Sequence, residues 1–192
     1  MQGVCKYLKD SNIAFALIKG KYNRFDDDIV KRDIDIVLKN KSSILAFKNP
    51  AFKFIHQYCF REMSTGLNID LYCQFLNVGY YYYLRISQSS YDNYQISDLE
   101  YLIYLILDPL LKFSEYHIRH KKRLSRYSHK DLDQAFVLIA SMIGLRLSKV
   151  LYQKIISREF NVSTIFIKQC KFKLLFINGN FVRMCKYRFL TL

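Results

Sequence analysis

KRDIDIVLKN, residues 31–40, sets two carboxylates into a segment that otherwise has the apolar spacing of a buried strand. In extended backbone, residues two apart share a face. Asp33 and Asp35 therefore project together, while Ile34, Ile36 and Leu38 project the other way. Neighbouring carboxylates repel one another and lose hydration when covered, so the pattern asks for a compensating cation, a divalent metal foremost. A third acid fits the scheme. In LNIDLYCQF, residues 67–75, Leu67, Ile69, Leu71, Cys73 and Phe75 alternate with Asn68, Asp70, Tyr72 and Gln74, the period of a half-buried strand. The interval from Asp35 to Asp70 holds a short helix and a strand, so segments 33–38 and 67–75 are expected side by side, with all three aspartates on one side of a sheet. Three hard oxygen donors suit Mg²⁺, which keeps several waters and shares substrate phosphates. Two such ions about 4 Å apart promote phosphoryl or nucleotidyl transfer. The plain structural alternative, solvated acids on a half-exposed strand, leaves the repulsion uncompensated.

Around this pair the front of the chain reads as α/β with four or five strands. Residues 3–11 have modest helical character. Ile13 to Ile18 form a continuous apolar run closed by Gly20, which predicts a central strand ending in a tight turn. A short helix is expected over 41–49, a strand over KFIHQYCFRE and a turn at STG. Beyond about residue 92 the period becomes helical. Ser97 and Glu100 give a capping-box signature for a helix that Asp108-Pro109 is expected to interrupt. Residues 128–159 read as one long helix or a broken pair, with an apolar face of Leu132, Ala135, Phe136, Ile139, Met142 and Ile143. The last thirty residues show no clear period.

A strand ending in Gly, an Asp-x-Asp strand and a later lone strand Asp resemble the nucleotidyltransferase superfamily related to DNA polymerase β. The phrases ALIKG, RDIDIVL and NIDLY resemble its stand-alone bacterial members of biosynthetic clusters, over roughly residues 3–80. The resemblance implies an α+β fold: a nucleotidyltransferase-like mixed sheet with flanking helices in a core of residues 1–90, then a helical, basic region over 91–192. It implies Mg²⁺-dependent transfer of a nucleoside monophosphate from an NTP to an acceptor, whether small molecule, sugar, RNA or protein. Asp33, Asp35 and Asp70 match the metal-binding and catalytic carboxylates. Gly20 matches the phosphate-facing turn, with Lys19 beside it. Apart from the resemblance, Arg32 and Arg24 flank the acids, and either could hold the triphosphate by a bidentate guanidinium contact, Arg32 ahead of Arg24. Lys21 stands where many members carry Ser, and Asp26, Asp27 and Asp28 fit an exposed loop. The competing expectation is a catalytically inactive member of the fold acting as an RNA-binding or antitoxin-like module.

Charge bears on that choice. The net +14 is uneven: residues 1–100 carry 13 Lys/Arg against 11 Asp/Glu, and residues 101–192 carry 17 against 5. The back half is the expected seat of attraction to phosphate-bearing partners, nucleic acid included. Its stretch 112–130 holds seven Lys/Arg and one Glu, with Tyr116 and Tyr127 interleaved as candidate stacking rings. His117-x-x-His120 lacks companion ligands, which argues against zinc. Five scattered cysteines (5, 59, 73, 170 and 185) suit reduced thiols. With no secretory pattern and no apolar run of spanning length, a cytoplasmic protein without a membrane span is expected.

Overall fold

A computed structural model of the chain describes residues 2–18, 33–56, 58–79 and 81–176, with only the backbone of Gln2 and Asp33. The architecture is α+β. It divides into two compact units, Met1–Leu76 with Arg85–Asp98, and Asn77–Leu84 with Leu99–Leu192.

The first unit opens with α1 (Gln2–Asp10) and β1 (Phe15–Leu17), then β2 (Asp33–Leu38). A 3-10 helix, Lys41–Phe47, precedes β3 (Phe52–His56), β4 (Cys59–Glu62) and β5 (Asn68–Cys73). The five strands form one mixed sheet in the order β1-β2-β5-β4-β3, with β2 and β5 parallel and the other pairs antiparallel. One face is apolar. Ile36, Leu38, Ile69, Leu71 and Phe60 pack there against Val4 and Leu8 of α1 and Phe47 of the 3-10 helix. This burial explains the alternation of β5 and of the Asp33–Ile36 part of β2, since a one-residue slip would turn every core side chain to the other face.

Two expectations change here. The 13–18 run is a strand, but at the sheet edge rather than its centre. It reads as fully apolar because both faces are covered, with the consecutive Phe15 and Ala16 fully buried, and its outer edge is bonded too: Leu17 N–H donates to Tyr94 O and Ile96 N–H to Leu17 O, each at 3.0 Å. KFIHQYCFRE is a hairpin, not one strand. Its turn includes Tyr58 at φ +61°, a residue type that carries no turn signal.

β6 (Phe75–Val78) and β7 (Tyr82–Arg85) pair as a separate two-stranded sheet, followed by α2 (Gln88–Asp92). Gln74, at φ +65°, breaks the expected 67–75 strand between β5 and β6. The chain is helical thereafter: α3 (Asp98–Phe113), α4 (Ile118–Leu124), α5 (His129–Ile143), α6 (Leu145–Ile156) and α7 (Thr164–Phe176). Pro109 does not interrupt α3. Burial of Leu105, Ile106, Leu107, Leu110 and Leu111 on both sides of it holds the helix through the missing N–H. The 128–159 region is the broken pair, divided at Gly144. Ser128 caps α5 in a full capping box with Asp131, and the six residues of the expected apolar face are its buried ones. α5 packs against α6 and α7. Among the described residues no helix is long and apolar enough to cross a membrane.

Candidate functional site

The face of the sheet opposite the apolar core carries the acids. β2 and β5 run in register, with Asp33 opposite Asn68, Asp35 opposite Asp70 and Val37 opposite Tyr72. Directly opposed residues on neighbouring strands share a face, with side chains about 5 Å apart at Cβ. The two segments are adjacent, as their spacing predicts, and Asp35 and Asp70 stand side by side, both half-buried. Asp33 occupies the next register position of β2, and its side chain lies outside the described residues. So do Lys19, Gly20, Lys21, Arg24, Asp26, Asp27, Asp28 and Arg32.

Burial grades along this face. Ala16 and Val37, paired across β1 and β2, are fully buried, whereas the acids one step along remain partly open. Ile18 N–H donates to Asp35 O at 3.0 Å, extending the β1 pairing to the level of the acids. Tyr72 Oη approaches Asp35 Oδ1 at 3.5 Å, the outer limit of a hydrogen bond. The Asp70 carboxylate makes no hydrogen bond or ion pair among the described residues. Two carboxylates so placed suit a hard cation, which draws oxygen ligands and removes their repulsion. Among the described residues, no group of three or more His, Cys, Asp or Glu forms a metal cluster. The described carboxylate donors are a pair.

The antiparallel β4 extends the face beyond what the motif reading included. Cys59 pairs with Asp70, and Arg61 with Asn68. Arg61 Nε donates to Asn68 Oδ1 at 2.9 Å, fixing both side chains to the acid side. Lys53 of β3 stands opposite Arg61. The sequence does not mark these residues, because KFIHQYCFRE carries no turn signal and so leaves the register of β3 and β4 undefined.

In the second unit, Tyr116 and Tyr127 are buried rather than free to stack, and Tyr116 Oη donates to Ile106 O at 2.6 Å. His117, the residue before α4, has Nδ1 3.6 Å from Glu115 Oε1, so an acid does stand beside it. Its ring is centred 5.8 Å from that of His120. Arg119, Lys122, Arg126 and Lys130 are exposed. Four cysteines among the described residues are free thiols. Burial pushes Cys73 up to about 11, and Cys170 up to about 12. Cys73 packs against the apolar core, as its strand face predicts.

Comparison of the chain with protein-family models, with curated proteins and with solved structures gave no match.

Proposed function

We propose that the chain is a nucleotidyltransferase-fold enzyme that moves a nucleoside monophosphate from an NTP to an acceptor, using Mg²⁺ held on its sheet acids. The observation that carries the reading is the placement of Asp35 opposite Asp70 on adjacent parallel strands, half-open and facing the same way. A like-charged cross-strand pair costs stability unless something neutralises it. The donor chemistry fits Mg²⁺: two hard carboxylate oxygen donors, with enough exposure for the ion to keep water and substrate ligands.

When bound, Mg²⁺ would polarise phosphoryl oxygens and acidify an acceptor hydroxyl. Asp35, Asp70 and, by its register position, Asp33 would hold it. The Asp70 carboxylate, uncommitted among the described residues, is the group suited to receive the hydroxyl proton. Tyr72 would limit rotation of Asp35. The apolar end at Ala16 and Val37 would keep the inner side of the acids from water, strengthening their hold on a cation.

Incubation with labelled NTPs and candidate sugars, RNA or protein tests the reading. Wild type should transfer label only with Mg²⁺ or Mn²⁺. Asp35→Asn and Asp70→Asn should each lower the rate about a thousandfold or more, corresponding to the several kcal/mol a metal supplies at developing charge. Transfer indifferent to both substitutions would refute it. The inactive, RNA-binding alternative finds support in the exposed cations of 112–130, but loses its stacking rings to the core.

A further inference from the structure

The sheet face that bears the acids is bipolar, and the register defines both halves. One transverse row runs Cys59, Asp70, Asp35 across β4, β5 and β2; the next runs Lys53, Arg61, Asn68, Asp33 across β3, β4, β5 and β2. Two carboxylates oppose each other on one side of the face, and two cations oppose each other on the other. Each is a like-charge cross-strand pair, the arrangement that sheets ordinarily avoid. A single ligand with a cationic and an anionic part relieves both.

We infer that Lys53 and Arg61 bind the polyphosphate of a cation–polyphosphate ligand whose divalent ion is held by Asp35 and Asp70, an assignment that rests on the reading above for its metal half. Arg61 is diagonal to Asp70, and diagonal neighbours lie about 7–8 Å apart at Cα, within reach of long side chains. Its Nε is committed to Asn68 Oδ1, and its guanidinium makes no other hydrogen bond among the described residues. Both Nη groups therefore remain for an oxyanion, in the planar fork that matches phosphate geometry. Asn68 acts as a positioning residue, holding the guanidinium over the acid face. Lys53 supplies a second, less directional charge.

The plain alternative is that these cations only keep the sheet soluble, since lysine on an edge strand discourages strand addition. Ligand binding separates the two. The full chain is titrated with inorganic tripolyphosphate, with and without Mg²⁺, as wild type, Arg61→Ala, Arg61→Lys, Lys53→Ala and Asp35→Asn. Lys122→Ala, at an exposed site of the second unit, is the control for general attraction to a basic protein. Arg61→Ala should weaken binding about ten- to a hundredfold, the scale of charge-assisted hydrogen bonds, and Arg61→Lys should recover part. Lys53→Ala should weaken it less, and Lys122→Ala not at all. Asp35→Asn should abolish the Mg²⁺ enhancement alone.

Unchanged affinity in Arg61→Ala and Lys53→Ala, with the Mg²⁺ effect still lost in Asp35→Asn, overturns the anion site and leaves the metal reading standing. Binding that needs Arg61 but never responds to Mg²⁺ supports the anion site and refutes the metal reading. Equal losses in Lys122→Ala and Arg61→Ala, or no binding in either condition, overturn the anion site.

Discussion

Asp108 shows how one buried carboxylate trades charge against hydrogen bonding. It sits on α3 and accepts the Gly79 N–H at 2.9 Å. Burial raises its proton affinity, while Gly79, Lys112 and Tyr104 pull the other way. Because the folded form holds the proton more tightly than the unfolded chain, this group's contribution is full below the ordinary carboxyl value of 3.8 and is lost as pH rises through the folded value. Asp108→Asn keeps the acceptor without the charge. At pH 7 it should match or exceed wild type in denaturant unfolding, and the advantage should vanish near pH 3. Asp108→Ala strands a buried N–H and should cost about 1–3 kcal/mol. An advantage of Asp108→Asn that grew on acidification would contradict this. Cys73 gives a second residue-scale outcome. With its thiol at about 11 against the usual 9.0, native alkylation at pH 8 should run roughly a hundredfold slower than in the unfolded chain.

At the scale of elements, glycines at two junctions differ in what they spare. Gly144 separates α5 from α6 at φ +87° with open space where a Cβ would lie. With ψ at 153°, Gly144 occupies a region open essentially to glycine alone, so Gly144→Ala should cost about 1–3 kcal/mol from backbone conformation alone. Gly79, at φ +56°, approaches α3 so closely that an added Cβ would stand 2.1 Å from Leu111 Cβ. Gly79→Ala adds overlap with a buried leucine and should cost about 1–3 kcal/mol more. Thermal unfolding of the two variants checks the order; equal losses would contradict the packing at Leu111. The elements most legible in the sequence were those with one buried face and a clean period. β2, β5 and α5 met that condition, and Ser128 marked the start of α5 as a capping residue should. The β3–β4 hairpin was not legible because its turn has Tyr58 where Gly or Asn would give a signal. α7 was not legible because it buries Phe166, Ile167, Cys170 and Leu174 yet mixes exposed Ile165, Phe172 and Phe176 with Lys168, Gln169 and Lys173, which blurs the period.

Across the whole molecule, strand adjacency followed from spacing, whereas the parallel sense of β2 and β5 did not. The 35-residue interval allows either direction, and the parallel sense is seen only in the observed β2–β5 pairing. The acid pair was therefore readable from the sequence, but its cationic counterpart on β3 and β4 was not. The net charge of +14 acts at this scale as well. Any association with RNA should fall steeply between 50 and 200 mM salt, by counterion release, and should be indifferent to Asp35→Asn, because it is a property of the basic surface rather than of the acids. RNA binding that required Asp35 would contradict that separation.

The central claim is that Asp35 and Asp70 are adjacent so that one cation can be shared between them, and thermal unfolding of wild type, Asp35→Asn and Asp70→Asn, in EDTA and then in Mg²⁺ with ATP, tests it most directly. In EDTA Asp70→Asn should be at least as stable as wild type, by about 0.2–1 kcal/mol, since one of two repelling charges is gone. With Mg²⁺ and ATP wild type should gain stability by ligand linkage and overtake both variants, which should shift little. Wild type unmoved by Mg²⁺ and ATP, or all three proteins stabilised alike, would contradict the claim.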